Sequence, residues 1–201
     1  MRLGCYALAL WVLAPTQALA EWQIKPFVGV AGNGSTTFLL VNPDGSKGVV
    51  LGANLAWLGE VIGVEGDIGH APGFFSPVLS SGSGASDLIV GSSVTTATGN
   101  LVIAMPRHLT DYTLRLYFVA GAGMMRVAIE GANDALGVSE RLAAFDLGGG
   151  ATGFLTKRIG LNWEVRRFRS FGAIDVRNSN SPLGPEPFGV WRATMAVAIR
   201  Y

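Results

Sequence analysis

The sequence predicts an all-β fold, namely an eight-stranded antiparallel up-and-down transmembrane β-barrel. Apolar residues recur at every second position in eight segments, and the connections between these segments alternate between long and short. The chain contains 28 glycines and few charged residues, which make up 14% of it. An even number of strands, with short turns at one end and long loops at the other, is typical of barrels that span a membrane.

Residues 1–20 are expected to form a signal peptide, followed by one barrel domain over residues 21–201. Arg2 provides a basic start, an apolar run too short to span a bilayer follows, and Ala18-Leu19-Ala20 offers a cleavage site. The single cysteine, Cys5, falls within the signal, so the domain is expected to have no disulfide. The formal net charge of +1 argues against a nucleic-acid partner.

The first four strands are predicted at about residues 22–31, 49–58, 62–68 and 93–105. Each alternates large apolar residues with small or polar ones, which is the pattern of a strand with two different faces. The apolar faces carry Trp22, Ile24, Val28, Val30, Leu51, Leu55, Trp57, Ile62, Val64, Ile68, Leu101 and Ile103. The opposite faces carry Gln23, Lys25, Asn54, Glu65, Asp67, Thr98 and Asn100.

The last four strands are predicted at about residues 113–125, 143–155, 159–168 and 188–201. Their apolar faces carry Leu114, Leu116, Phe118, Met124, Phe145, Leu147, Ile159, Leu161, Trp163, Val165, Trp191, Met195, Val197, Ile199 and Tyr201. Their other faces carry Arg115, Tyr117, Asp146, Thr152, Asn162, Glu164, Arg166, Arg192 and Arg200. Because hydrocarbon does not solvate charge, the apolar faces are expected outside and the charged faces inside the barrel.

The connections are expected to be long at about residues 33–48, 72–92, 126–142 and 170–187, and short at 59–60, 106–112 and 156–158. Aromatic residues are expected to mark both rims, as at the two interfaces of a membrane. The short-turn rim would carry Trp22, Trp57, Tyr112 and Tyr201. The long-loop rim would carry Phe74, Phe75, Phe171, Phe188 and Trp191.

An ion-pair network is predicted inside the barrel, because eight strands enclose a space that side chains can fill. Its members are expected to be Glu65, Asp67, Arg115, Asp146, Glu164, Arg166 and Arg192, with Lys25 and Arg200 also facing inward. Glycines 121, 123, 148 and 150 would leave room for these long side chains. The barrel is therefore not expected to be an open diffusion pore.

Six segments of the chain resemble the small OmpA-like outer-membrane β-barrel family of Gram-negative bacteria. They are EWQIKPFVGV, GVEGDIGHAPGFF, VTTATGNLVIAMP, LRLYFVAGAG, GLNWEVRRFRSF and WRATMAVAIRY. The resemblance implies an outer-membrane location, interior salt bridges, and a last strand whose terminal aromatic, here Tyr201, is read by the barrel-assembly machinery. The peptidoglycan-binding domain of OmpA itself is not expected, because the barrel segments extend to Tyr201.

Three arginines near the long-loop end are candidates for contact with lipopolysaccharide. Arg167 and Arg169 fall on the outward phase of the seventh strand, near the top of an apolar band about 25 Å tall, and Arg177 follows in the next loop. At that height their side chains can reach the membrane interface, where guanidinium groups suit lipid phosphates. The expected partners are thus outer-membrane lipids and lipopolysaccharide, for a chain that is expected to be a monomer.

No enzymatic activity, cofactor or metal site is predicted. GGGATG at residues 148–153 matches a dinucleotide-binding pattern, but another strand rather than a helix follows it. The two histidines, His70 and His108, fall at opposite ends of the barrel, which argues against a histidine-rich metal site.

Three alternatives remain open. The first is an enzyme acting on lipid A, with His70, Asp67 and a serine from residues 80–93 as a weak catalytic triad. The others are a lipocalin-like periplasmic carrier and a narrow ion channel.

Overall fold

The computed structural model is a closed barrel of eight antiparallel strands, each paired with its neighbours along the sequence. It describes residues 20–33, 47–74, 89–106, 109, 113–131, 138–173 and 187–201. The strands are β1 Glu21–Asn33, β2 Lys47–Leu58, β3 Ile62–Pro72, β4 Ile89–Ala104, β5 Leu114–Gly131, β6 Val138–Phe154, β7 Ile159–Ala173 and β8 Pro187–Arg200. The predicted eight-stranded up-and-down barrel is confirmed.

The two faces of the strands are those that the alternation predicts. Apolar side chains point outward, and Val30, Ile68 and Phe118 are 55%, 56% and 72% exposed. Charged side chains point inward, and Lys25 and Arg166 are only 2% and 0% exposed. No helix in the described ranges is long and apolar enough to cross a membrane.

The hairpin formed by β5 and β6 is longer than predicted. Both strands continue through most of residues 126–142, which were expected to be a long loop, and only 132–137 lie outside the described residues. The expectation was wrong because Arg126 and Arg141 interrupt the apolar outward face, whereas the backbone ladder continues and pairs these two residues directly. A ladder depends on main-chain hydrogen bonds, so it persists where the side-chain alternation ends.

Apolar clusters lie at both ends of the barrel interior. The cluster at the long-loop end includes Phe27, Phe74, Met125 and Phe168. The cluster at the short-turn end includes Leu58, Val102, Tyr117 and Val119. The charged side chains around Arg166 lie between them, so the interior is not uniformly polar as the sequence suggested.

Phe74 is fully buried, and its predicted place among the rim aromatics is wrong. Gly73, at φ +63°, turns the chain in a backbone conformation that favours glycine, and its amide donates to the Ser92 carbonyl oxygen at 2.7 Å. The turn brings Phe74 beside Gly48 and into the apolar cluster at the long-loop end. Phe75, predicted for the same rim, lies outside the described residues.

The barrel closes where β1 pairs with β8. The register runs from Gln23 opposite Arg200 to Asn33 opposite Val190, but no partner is paired with Lys25 or Pro26 on this side. Proline has no amide hydrogen to donate, so the ladder is interrupted at this point of the closing seam.

Candidate functional site

Arg166 of β7 lies at the centre of the interior charges. Its Nε donates to Glu164 Oε1 at 2.5 Å, and its Nη1 donates to Asp146 Oδ2 at 3.2 Å. Its Nη2 donates to Glu164 Oε2 at 2.6 Å and also to Glu65 Oε1. Asp67 lies slightly further away, 3.9 Å from Nη1. One guanidinium group from β7 thus joins carboxylates carried by β3, β6 and β7 itself.

Two further cations complete this central cluster. Lys25 Nζ donates to Glu65 Oε2 at 2.6 Å. Arg192 donates two hydrogen bonds to Asp67, at 2.9 and 2.6 Å, in the bidentate geometry that favours an arginine–carboxylate pair. The Arg192 guanidinium also stacks against Phe27 and Phe168, 4.7 Å from each ring centroid, which joins the charged layer to the apolar cluster above it.

Neutral side chains satisfy oxygens that the cations do not reach. Tyr117 Oη donates to Glu164 Oε2 at 2.8 Å, and Asn162 Nδ2 donates to Tyr117 Oη at 2.7 Å. With its amide oriented to match donors with acceptors, Asn100 donates to Asp146 at 2.8 Å and accepts from Arg166 at 2.7 Å. Such hydrogen bonds offset the cost of burying charge, which ion pairing alone often does not.

Arg115 lies in a second cluster at the short-turn end, with Glu21 and Arg200. Both arginines lie 3.3 Å from Glu21, Arg115 from Oε1 and Arg200 from Oε2. Arg115 Nη2 also donates to the Gly59 and Glu60 carbonyl oxygens, at 2.6 and 3.0 Å. The residues predicted as one network therefore include six that form the central cluster, Arg166 among them, and one, Arg115, that holds the β2–β3 turn.

Several residues of these clusters had no predicted role. Glu21 follows the expected cleavage site directly, and its spacing from Gln23 and Lys25 places it on the inward face. Phe27 and Phe168 lie two residues from Lys25 and Arg166, so they also face the interior. The alternation along each strand does not reveal which inward side chains meet, because those contacts depend on the register of strands that are distant in sequence.

The four predicted interior glycines lie where side chains approach the wall closely. A Cβ atom on Gly148 would lie 2.7 Å from Arg166 Cγ, and one on Gly150 would lie 2.7 Å from Tyr117 Oη. Added Cβ atoms on Gly121 and Gly123 would overlap Asn100 and the β4 backbone. These glycines therefore do leave the room that the sequence suggested.

On the outside of the barrel, Arg167 and Arg169 project from β7 as predicted, and Arg177 lies outside the described residues. The Arg167 guanidinium carbon is 5.3 Å from the Trp191 ring centroid. Arg169 is paired across the sheet with Phe145. Both arginines line a groove of about 520 Å³ on the outer wall.

Tyr201, the expected assembly signal, follows the last strand and is 76% exposed. Its amide donates to the Trp22 carbonyl oxygen at 3.0 Å, which ties the end of the chain to β1. The exposed ring lies on the outside of the barrel wall at the short-turn end, where another protein can contact it.

The weak catalytic triad considered from the sequence is not assembled among the described residues. His70 points outward, with Nδ1 2.9 Å from Thr95 Oγ1, whereas Asp67 points inward and binds Arg192. Most of the serine-bearing segment 80–93 lies outside the described ranges.

No protein-family model matches the chain, and no curated protein sequence is significantly similar to it. Solved structures do share its fold. Neisserial surface protein A superimposes with a TM-score of 0.64 at 8% identity, over 90% of this chain and 97% of that one. Ail of Yersinia pestis gives 0.50 at 15%, and a major outer membrane protein of Thermus thermophilus gives 0.50 at 13%, each over 90% of this chain and 99% of the other. At these identities the likeness shows the fold of small outer-membrane β-barrels.

Proposed function

We propose that this chain is an integral, non-enzymatic protein of the bacterial outer membrane, of the OmpA-like kind, with a sealed barrel that presents external loops. The observation that carries the proposal is the inverted placement of polarity. Large apolar side chains cover the outer wall of the strands, while Lys25, Glu65 and Arg166 are almost fully buried within. Soluble domains rarely expose so continuous an apolar surface.

Energetics favour hydrocarbon as the surroundings of this wall. A lysine or arginine at the bilayer midplane of a barrel costs about 2–4 kcal/mol. Here the charges around Arg166 face inward, where they meet counter-charges. A lipocalin-like carrier would require the reverse arrangement, with an apolar pocket inside and a charged exterior.

The sealed interior leaves the loops as the part that meets partners. Ion pairs fill the middle of the barrel and apolar clusters lie at both ends of the interior. Any binding of surface ligands would then fall to the long connections after β1, β3 and β7 and the shorter one after β5, because loops on a rigid scaffold commonly carry recognition. A structural role in the envelope is the other contribution of such a barrel.

Location and architecture are tested together by fractionation and gel mobility. The mature protein is expected in the detergent-extracted outer-membrane fraction as a monomer, and unheated samples are expected to migrate differently from boiled ones. Recovery of a monomer in buffer without detergent would overturn the proposal and favour the carrier.

The absence of catalysis is tested at His70. Replacing it with alanine is expected to leave the acyl pattern of lipid A unchanged, because Asp67 lies on the other side of the wall. An altered pattern would identify an enzyme instead. Because the variant retains every interior ion pair described, its folded amount in the membrane serves as the internal control.

A further inference from the structure

Among the side chains that the structure describes on the strands, outward-facing charges lie on one side of the barrel. Among the strand side chains that the structure describes, those that are charged and point outward are Arg126, Arg141, Arg167 and Arg169. They belong to β5, β6 and β7, which are consecutive in the barrel. All are cations, so this side of the outer wall carries an unbalanced positive charge towards the long-loop end.

Two of these arginines border an apolar groove. The groove, of about 520 Å³, is lined by Phe118, Phe145, Leu147 and Val165, with Arg167 and Arg169 beside them. On β7, Val165 lies on the short-turn side of Arg167 and Arg169. Phe118 lies level with Val165, because both residues pair with Gly149 across the sheet. The groove thus has an apolar lower part and a cationic upper edge.

Within the described part of the chain, the two groove arginines have no counter-charge. Arg167 stacks on Trp191, which holds its guanidinium against the wall. None of the described acidic side chains forms an ion pair with Arg167 or Arg169, since those near them on β6 and β7 point inward towards Arg166. Arg167 and Arg169 lie two residues apart on one face of β7, and no described side chain accepts a hydrogen bond from either. Such a pair of guanidinium groups matches the oxygens of a phosphate group.

We propose that this groove is a specific site for one phosphorylated lipid of the outer leaflet. The acyl chain lies over Phe118, Leu147 and Val165, and the phosphate lies between Arg167 and Arg169. The inference rests on the proposed outer-membrane location. The polarity of the groove selects the leaflet, because the cationic edge lies at the long-loop end, which faces the exterior.

The proposed ligand of this site is lipopolysaccharide, held by a phosphate of its lipid A moiety. The outer leaflet is built from this glycolipid, whereas ordinary phospholipids occupy the opposite leaflet, on the short-turn side of the two arginines. Basic pockets on the surface of membrane proteins bind lipid head groups in the same manner.

The test uses the full mature protein, refolded and reconstituted in nanodiscs with a neutral phospholipid. Binding of a defined lipid A glycolipid is measured by native mass spectrometry and by titration, alongside its dephosphorylated form and phosphatidylglycerol. The unmodified protein is expected to retain one phosphorylated lipid A, about tenfold more tightly than the dephosphorylated form. This comparison needs no variant.

Matched variants locate the site. The double substitution Arg167→Gln and Arg169→Gln is expected to abolish the preference for the phosphorylated form, whereas Arg126→Gln with Arg141→Gln removes equal charge outside the groove and is expected to retain it. Leu147→Trp, which fills the groove, is expected to weaken binding of both lipid A forms while leaving the arginines intact.

The proposed site would be refuted if the two double variants bound phosphorylated lipid A equally well. It would also be refuted if the unmodified protein bound lipid A equally well with and without phosphate. Equal retention of phosphatidylglycerol would overturn the assignment to lipopolysaccharide. A failure of the proposed location looks different, because a soluble protein would not enter the nanodiscs at all. A folded barrel without lipid preference would leave the outer-membrane proposal standing.

Discussion

Arg166 is the single residue on which the interior charges most depend. It is fully buried and contacts Glu65, Asp146 and Glu164. Arg166→Met is expected to lower the free energy of unfolding by about 3–5 kcal/mol, because the remaining carboxylates lose their shared counter-charge in a buried site. Urea unfolding of the refolded protein in micelles, followed by gel mobility, measures the loss.

The matched control is Arg126→Met, which removes an exposed arginine whose side chain donates to Ser139 at 3.1 Å. Its expected cost is below about 0.5 kcal/mol, as for most exposed polar contacts. If the two variants lost the same free energy of unfolding, the buried ion pairs would contribute no more to stability than one exposed arginine does.

Interior glycines set how closely the network approaches the wall. In Gly148→Ala, the new methyl group would lie 2.7 Å from Arg166 Cγ and 2.5 Å from the Val165 carbonyl oxygen. Such overpacking is expected to cost about 1–3 kcal/mol, measured by the same unfolding experiment. Gly66→Ala is the control, because a Cβ atom there meets nothing within 4 Å. If Gly66→Ala were the more damaging of the two, steric crowding at Gly148 would be refuted.

The face on which each residue lies follows from the sequence, whereas its partner does not. The alternation predicts Glu65, Asp146 and Arg166 in the interior, because the residues on either side of each belong to the opposite, outward face of the strand. It did not separate Arg115 from Arg166, since their contacts depend on the height at which distant strands meet. Glu21 was missed for another reason, because its place beside the cleavage site suggested a terminal residue rather than a strand residue.

At the scale of elements, strand existence was predictable and strand length was not. Each predicted strand occurs, because apolar alternation marks the part of the wall that faces outward in the middle of the barrel. The prediction failed at the loop end of β5 and β6, where Arg126 and Arg141 remove the alternation although the ladder continues. Burial of Phe74 also escaped the sequence, because it depends on the turn made by Gly73.

The last strand offers a test of assembly as distinct from stability. Tyr201→Ala is expected to reduce the amount of folded protein in the outer membrane severalfold, because the family resemblance implies that the assembly machinery reads this aromatic. Its effect on unfolding of the refolded protein is expected to stay below about 1 kcal/mol, because the ring is 76% exposed.

Tyr201→Phe keeps an aromatic ring and serves as the control, with normal assembly in cells. The paired measurements are the folded fraction in isolated membranes and the urea midpoint of protein refolded in micelles. A Tyr201→Ala protein that assembles normally in cells would contradict the role of Tyr201 as a signal.

Across the whole molecule, the interior charges of the two clusters balance. The cations are Lys25, Arg115, Arg166, Arg192 and Arg200, and the carboxylates are Glu21, Glu65, Asp67, Asp146 and Glu164, so five positive charges meet five negative ones. Including Glu21 completes a balance that the sequence left one charge short. A neutral, densely paired interior is what a buried charged layer requires.

Two different layers of side chains lie across the barrel interior, and the proposed sealed barrel predicts how the protein conducts. The ion pairs around Arg166 form one layer, and the apolar cluster with Phe27, Phe74 and Phe168 forms the other. Because the layers lie in series, removing either one is expected to leave the other closed. The unmodified protein, Arg166→Met and Phe74→Ala are all expected to show no steady conductance in planar bilayers.

An open porin in the same bilayers controls for detection, and heat-modifiable mobility of the reconstituted samples controls for folding. Steady openings in Arg166→Met alone would show that the ion pairs are the sole barrier. Conductance in the unmodified protein that disappears when the Glu65–Arg166 contact is broken would identify a narrow ion channel and refute the sealed scaffold. The absence of conductance in all three proteins would support closure by two barriers in series. Water that enters the charged layer must first pass apolar side chains that exclude it.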